Sequence, residues 1–277
     1  MAFNLDEAYQ FIAQLAREAG EILRERYGRA HRVEHKGPTD VVTEADRLSE
    51  AHILSRIRER YPDHDILSEE SGLQSRSGSV RWIVDPLDGT ANFAHGLPLF
   101  SVSIALEVDG ALVAGAVYDP VRDELYSAAR GRGAFLNGEP LRVSAVASLQ
   151  DALLVTGFPH DLSDDPAENN LAYFAAFARR TQGVRRLGSA ALDLAYVAAG
   201  RFDGFWELRI NAWDIAAGAL LVEEAGGRLS RVDGSPFRVD GGQILATNGR
   251  LHEAMVQVLA EAAQHGPLPL PGKGEGA

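Results

Sequence analysis

Asp85-Pro86-Leu87-Asp88-Gly89-Thr90 places two carboxylates, a glycine and a hydroxyl directly after an apolar run, Trp82-Ile83-Val84. The β-branched pair beside a bulky tryptophan reads as a buried strand, and Pro86 ends it by fixing φ and removing a donor. A turn then brings Asp85 and Asp88 toward one point. Two acids so close repel unless something positive lies between them. Oxygen-only ligands suit a hard divalent ion, magnesium, calcium or manganese, better than zinc. The N–H groups of Gly89 and Thr90 and the threonine hydroxyl can cradle a phosphate beside such an ion. An Asp-Gly pair alone is also an ordinary surface turn; the strand and the second acid before it weigh for chemistry.

Other acids stand at the ends of elements. Glu69-Glu70 follow strand-like Ile66-Leu67. Thr43 and Asp46, three apart, imitate a capping box, so that Asp46 reads first as a helix-start carboxylate favoured by the macrodipole. Asp214 opens a helix that ends at Gly226-Gly227, where it is at once an N-cap and well oriented to ligate a metal. Glu207 lies near the end of the strand Phe202 to Leu208, an odd neighbour for Trp206 in a buried segment.

The elements that must position these acids follow from periodicity. Leu5, Tyr9, Ile12, Leu15, Ala19 and Leu23 predict an amphipathic helix from Asn4 to Tyr27. A glycine and proline loop, His35 to Asp40, precedes a second helix that opens at Val41 to Asp46 and runs to about Arg60. Strands Ser101 to Val108, Ala111 to Tyr118 and Glu124 to Ala129 predict an antiparallel meander, with Asp109-Gly110 as a two-residue hairpin turn. Ala134 to Leu136, Asn137-Gly138 and Glu139 to Val143 predict one more hairpin. A second half begins near Ser148. It holds a strand from Ala152 to Thr156, a helix from Asp165-Pro166 to about Arg179, and a strand from Val184 to Leu187. A helix of small, closely packing residues, Gly188 to Gly200, follows, and strands Arg228 to Val232 and Gln243 to Thr247 precede a helix from Leu251 to Ala263. The expected division is 1–147, carrying most of the acid motifs, and 148–265, carrying recognition residues; the Pro- and Gly-rich tail, 266–277, is expected to be disordered.

Composition bounds the function. The 277 residues, 45% of them hydrophobic, suffice for a large core. Lys and Arg number 27 against 39 Asp and Glu, a net charge of −12 that argues against broad nucleic-acid binding. An anionic substrate stays open, because bound metal reverses the local sign. With no cysteine, disulfides and thiolate chemistry are excluded. No signal peptide or run of ~18 apolar residues is evident, so a cytoplasmic protein is expected.

Asp40-Val41-Val42-Thr43-Glu44-Ala45-Asp46, Ser68-Glu69-Glu70-Ser71, Asp85-Pro86-Leu87-Asp88-Gly89-Thr90 and Trp213-Asp214-Ile215-Ala216-Ala217-Gly218 together resemble the inositol monophosphatase family, in its order and at fitting intervals, from about residue 5 to 262. The resemblance implies an α+β fold, the layered α/β/α/β/α sandwich of the sugar phosphatases, with the metal site between two halves. It implies that Glu69, Asp85, Asp88, Asp214 and the Leu87 carbonyl ligate two or three magnesium ions, Asp85 bridging two of them. Asp46 and Thr90 would orient the attacking water, with Glu70 as a supporting acid. The implied substrate-binding set is Lys36, Asp88, Gly89, Thr90, Gly188, Ser189, Ala190, Glu207 and Asp214. Metal-assisted hydrolysis of this kind needs no protein nucleophile.

Within the family, Glu207 and the backbone from Gly188 to Ala190 match positions that hold hydroxyls of the leaving polyol. A carboxylate that accepts two hydroxyl donors rejects substrates lacking them, which favours myo-inositol 1-phosphate. Fructose 1,6-bisphosphate, histidinol phosphate and 3′-phosphoadenosine 5′-phosphate are alternatives, since fold kinship does not settle substrate. Arg209 could meet a second phosphate. A regulatory partner of the transcription machinery and a calcium-binding structural module are the other classes of reading. Lithium sensitivity and a homodimer are further expectations from the resemblance.

Overall fold

The computed structural model describes residues 4–29, 33–35, 41–76, 78–159 and 169–265. Helix α1 (Leu5–Arg26) buries Ala8, Ile12, Leu15, Ala19 and Leu23 along one face, and the Asn4 side chain caps it by accepting from the N–H groups of Asp6 and Glu7. A short antiparallel ribbon, β1 (Val33–His35) with β2 (Val41–Thr43), then leads into α2 (Glu44–Arg60). The second helix thus begins three residues later than its motif suggests, because the β-branched run Val41-Val42-Thr43 favours extended backbone.

One sheet holds eight strands. They are β3 (Asp65–Ser68), β4 (Gly72–Gln74), β5 (Val80–Asp88), β6 (Ser101–Val108), β7 (Ala111–Asp119), β8 (Glu124–Ala129), β9 (Gly133–Leu136) and β10 (Glu139–Pro140), in the order β10-β9-β8-β7-β6-β5-β3-β4. Within this sheet β3 and β5 run parallel, and the other described neighbours run antiparallel. The meander is as expected: Asp109-Gly110 and Asn137-Gly138 both take positive φ at both residues, the pattern of tight hairpin turns that match strand twist. Two local expectations change. β10 stops at Pro140, which has no N–H to give a ladder, and the N–H of Val143 goes to the Ala225 carbonyl instead (3.2 Å). Ala91 to Ala94, part of the stretch to Pro98 whose glycine and proline predict irregular backbone, lie instead in a short helix, α3 (Thr90–Ala94).

A second sheet is built from β11 (Leu153–Thr156), β12 (Gly183–Arg185), β13 (Gly204–Leu208), β14 (Arg228–Ser230) and β15 (Gln243–Thr247), ordered β12-β11-β13-β15-β14. Between and after these strands lie α4 (Leu171–Ala178), α5 (Ala190–Ala198), α6 (Ala212–Glu224) and α7 (His252–His265). The expected start of α4 at Asp165 and the expected disordered tail fall outside the described residues. No described helix is long and apolar enough to cross a membrane.

Alternation along the strands sets the layers. Trp82, Val84, Val102, Ile104, Leu106 and Tyr118 pack against α1 and α2, whereas Ile83, Ala105 and Val117 face α5 and α6. In the second sheet Phe205 and Ala246 face α5 and α6, while Trp206 and Leu245 face α4 and α7. Period-two alternation therefore sandwiches each sheet between helices. The result is five layers, α/β/α/β/α. The central α5–α6 layer must be thin, and its small residues make it so: a Cβ on Gly218 would stand 2.5 Å from the Leu194 Cβ.

His252 stitches the far edge. Its buried imidazole bonds Thr247 Oγ1 (3.0 Å) and Ser230 Oγ (2.9 Å), joining α7 to β15 and β14. Burial, and then the Arg228 charge, pulls its pKa down to about 4. Between that value and the unfolded value near 6.5 only the unfolded chain takes up the proton, so this group costs stability as pH falls through that window. Thermal unfolding of His252→Gln and the parent from pH 7 to 4 should show the variant losing less stability on acidification.

Candidate active site

Asp85 and Asp88 would point to opposite faces of a regular strand, because three is an odd step in a period of two. They face the same way because β5 does not stop at Pro86 as its sequence suggests. It continues to Asp88 through a bulge: Asp85 pairs with Ser103 and Asp88 with Ser101, so β5 spends one residue more than β6 between those two pairings. A proline is tolerated there since a bulge leaves one backbone group out of the ladder. Asp85 Oδ1 accepts from the Leu87 N–H (3.0 Å), and Ser49 on α2 donates to the Pro86 carbonyl (2.8 Å).

Helix α2 grips the site along one stripe. Besides Ser49, Glu50 Oε1 accepts from Ser68 Oγ (2.5 Å) and from the Ser71 N–H (3.1 Å), fixing the turn that carries Glu69 and Glu70. Asp46, in the helix's first turn, completes the expected capping box: its Oδ2 accepts from the Thr43 N–H (2.8 Å) and Oγ1 (2.6 Å). Its other oxygen, Oδ1, accepts from Thr90 Oγ1 (2.9 Å), which also lies 3.0 Å from the Leu87 carbonyl. Burial raises the Asp46 pKa, opposed by the bonds from Thr43 and Thr90. Asp46 is therefore the expected helix cap, and its second oxygen is tied to Thr90.

Asp85, Asp88 and Asp214 converge so that one oxygen from each lies within 4.8 Å of the others. Asp214 sits in the first turn of α6, its Oδ2 accepting from the Asn211 N–H (2.9 Å). Asp88 is held by the start of α5, accepting from Ser189 Oγ (2.5 Å) and the Ala191 N–H (2.8 Å). Ser189, expected beside the substrate, thus spends its hydroxyl on Asp88. Burial drives the Asp85 carboxyl well above its usual range, reinforced by the charges of Glu69, Asp88 and Asp214. Asp214 is raised likewise, by burial and by Asp88. Asp88 rises only to about 6, because Ser189 and α5 N–H groups offset its burial. Oxygen donors in this number, crowded and mutually repelling, fit a hard divalent cation.

A cleft of about 470 Å³ opens over this cluster, lined also by Glu69, Leu87, Gly89, Thr90, Gly188, Ser189, Ala190 and Glu207. Gly89 has φ of 95°, and a Cβ there would meet the Leu99 carbonyl oxygen at 2.9 Å and that of Gly188 at 3.1 Å, so only glycine fits the join between β5 and α3. Asn92 clamps the same join by donating to the carbonyls of Leu99 (2.7 Å) and Leu187 (2.8 Å). Glu70 is on the β3–β4 turn, outside the cleft lining. Lys36 lies outside the described residues. Sequence reasoning passed over Asp193 and Arg186, which also line the cleft. The available signal was an acid in the otherwise small, apolar run of α5, the same anomaly that marked Glu207.

Residues 4–264 match the Inositol monophosphatase family. The chain is 49% identical over 248 residues to an inositol-1-monophosphatase of Synechocystis sp., covering 89% of this chain and 86% of that one. It is 48% identical over 250 residues to Nus factor SuhB of Pseudomonas aeruginosa, covering 88% and 92% of the two chains. Among solved structures, an inositol monophosphatase from Anabaena (Nostoc) sp. aligns with a TM-score of 0.86 at 43% identity, covering 94% of this chain and 97% of the other. The match runs through every segment that lines the cleft, from Val41 to Asp214, and the chain therefore belongs to the inositol monophosphatase family of metal-dependent phosphatases.

Proposed function

We propose that this protein hydrolyses the phosphate monoester of a polyol, with myo-inositol 1-phosphate as the preferred substrate and magnesium as the metal. The observation that carries this reading is one cleft holding both the Asp85–Asp88–Asp214 cluster and the buried carboxylate of Glu207. The names of relatives such as the Synechocystis inositol-1-monophosphatase support the substrate.

Glu69, Asp85, Asp88, Asp214 and the Leu87 carbonyl would hold two or three magnesium ions. When bound, such ions neutralise the carboxylates, attract the phosphate and acidify the attacking water. The chain's own groups then do the positioning. Thr90, donating a hydrogen bond to Asp46, turns oxygen lone pairs toward a water and aligns it on phosphorus. The Gly89 and Thr90 N–H groups open α3, where a helix has no internal partner for them, and donate to phosphate oxygens. Glu70 supports the water side of the site from the neighbouring turn, and Lys36 would bind the phosphate; both assignments rest on the family resemblance. Glu207 and the backbone from Gly188 to Ala190 accept and orient the leaving polyol. Lithium inhibition, through a small cation taking a magnesium position, and a homodimer belong to the same reading. The relative named Nus factor SuhB supports a second reading, a regulatory association with transcription machinery alongside catalysis.

Phosphate release should be fastest with myo-inositol 1-phosphate in a panel with fructose 1,6-bisphosphate, histidinol phosphate and phosphoadenosine phosphate, and chelator should abolish it; faster release from another member refutes the substrate assignment. Thr90→Ala should lower kcat by roughly 10²- to 10⁴-fold with KM nearly unchanged, and an equal loss in KM would assign Thr90 to binding. Asp85 carries a folded pKa above its unfolded value, so the folded state holds the extra proton and stability falls as pH rises between the two. Metal-free Asp85→Asn should therefore melt at higher temperature than the parent at pH 7, while added magnesium should stabilise the parent and leave the variant nearly unmoved. Calorimetry with and without chelator reads both effects.

A further inference from the structure

Beyond the metal cluster, the cleft carries two carboxyls where polyol recognition through Glu207 calls for one. Glu207, on β13, is 8% exposed. The chain makes room for it: a Cβ on Gly157 would overlap its Oε2 at 2.0 Å, so the end of β11 must be glycine for this carboxylate to stand where it does. Asp193, on α5, is 1% exposed and lines the same cleft. Glu207 is the charge that bears on it most.

The Asp193 Oδ1 atom is buried and makes no hydrogen bond that would tie it into the fold, while the residue's N–H is spent on the Ser189 carbonyl (3.0 Å), within its own helix turn. A buried acceptor left unmade costs the desolvation of that group, and the neighbours Ala191, Leu192 and Leu194 show that this part of α5 is otherwise apolar. Arg186, the cation that acts on both carboxyls, sits at the exposed rim. A second acid kept dry beside the first, facing a cleft, is complementary to hydroxyl donors and hostile to another anion.

Resting on the reading of this cleft as a polyol phosphatase site, we propose that Asp193 is a second specificity-determining carboxyl, accepting a hydrogen bond from a leaving-group hydroxyl other than the one bound by Glu207. The subsite then selects monophosphates of polyols with at least two placed hydroxyls. It disfavours leaving groups that bear one hydroxyl or a second phosphate.

The test uses the full chain with magnesium, myo-inositol 1-phosphate, its analogues lacking one hydroxyl each, and p-nitrophenyl phosphate, which has none. Asp193→Asn should raise KM for myo-inositol 1-phosphate about tenfold and leave both constants for p-nitrophenyl phosphate unchanged. Asp193→Asn and Glu207→Gln should each become indifferent to the loss of a different hydroxyl. An equal change for both substrates, or no change for either, overturns the proposal. If Asp193→Asn does not fold, Asp193→Ser is read the same way: a raised KM confined to myo-inositol 1-phosphate supports the second acceptor, and unchanged constants for both substrates refute it. If the parent hydrolyses none of these phosphates, it is the phosphatase reading that fails; ligand-observed NMR of myo-inositol alone then tests the subsite, with weaker binding to Asp193→Asn in its favour and equal binding against it.

Discussion

Mutual repulsion among buried carboxylates is the constraint on which the structure turns. Asp85, Asp88 and Asp214 are brought within reach of one another beside Glu69, and the charges that act most on Asp85 are all negative. Among the described residues, the fold sets no basic side chain among the charges that act most on Asp85 and Asp214. It aims helix starts at the acids instead: Asp46 lies in the first turn of α2, Asp214 in that of α6, and Asp88 accepts from the first turn of α5. Backbone N–H groups and helix dipoles offset part of the charge without neutralising it. What remains is a site whose unmet demand is for cations, and through them for a phosphate.

Holding three helix starts around one point explains the architecture. Two sheets and three helical layers must stack closely enough for β5, α5 and α6 to meet, and the small residues of α5 and α6 set that spacing. Gly89 and Asn92 then lock the end of β5 to the approach of α5 through the carbonyls of Leu99, Leu187 and Gly188. Each of these contacts is costly to alter, because backbone atoms stand on the other side of it.

The cleft has two chemical characters along its length. At one end acids are crowded and tied by backbone donors, which suits metal and phosphate. At the other, Glu207 and Asp193 are dry and lightly bonded, which suits hydroxyls. Relatives named for the phosphatase and relatives named as Nus factors both align over most of this chain.

Sequence by itself determined the elements and most of the acids that matter. The apolar stripe of α1, the Thr43–Asp46 capping box and the two hairpin turns rest on interactions within a few residues, and local chemistry dictates those. The four acidic motifs also declared the family. Tertiary structure alone decided which groups meet. That Asp85 and Asp88 share a face depends on a bulge, and hence on pairing with Ser101 and Ser103 of another strand. Ser189 serves Asp88, 101 residues distant in sequence, and Asp193 faces the cleft only because α5 is stacked between two sheets. Register and layer packing are long-range properties, so no local pattern along the chain could have revealed them.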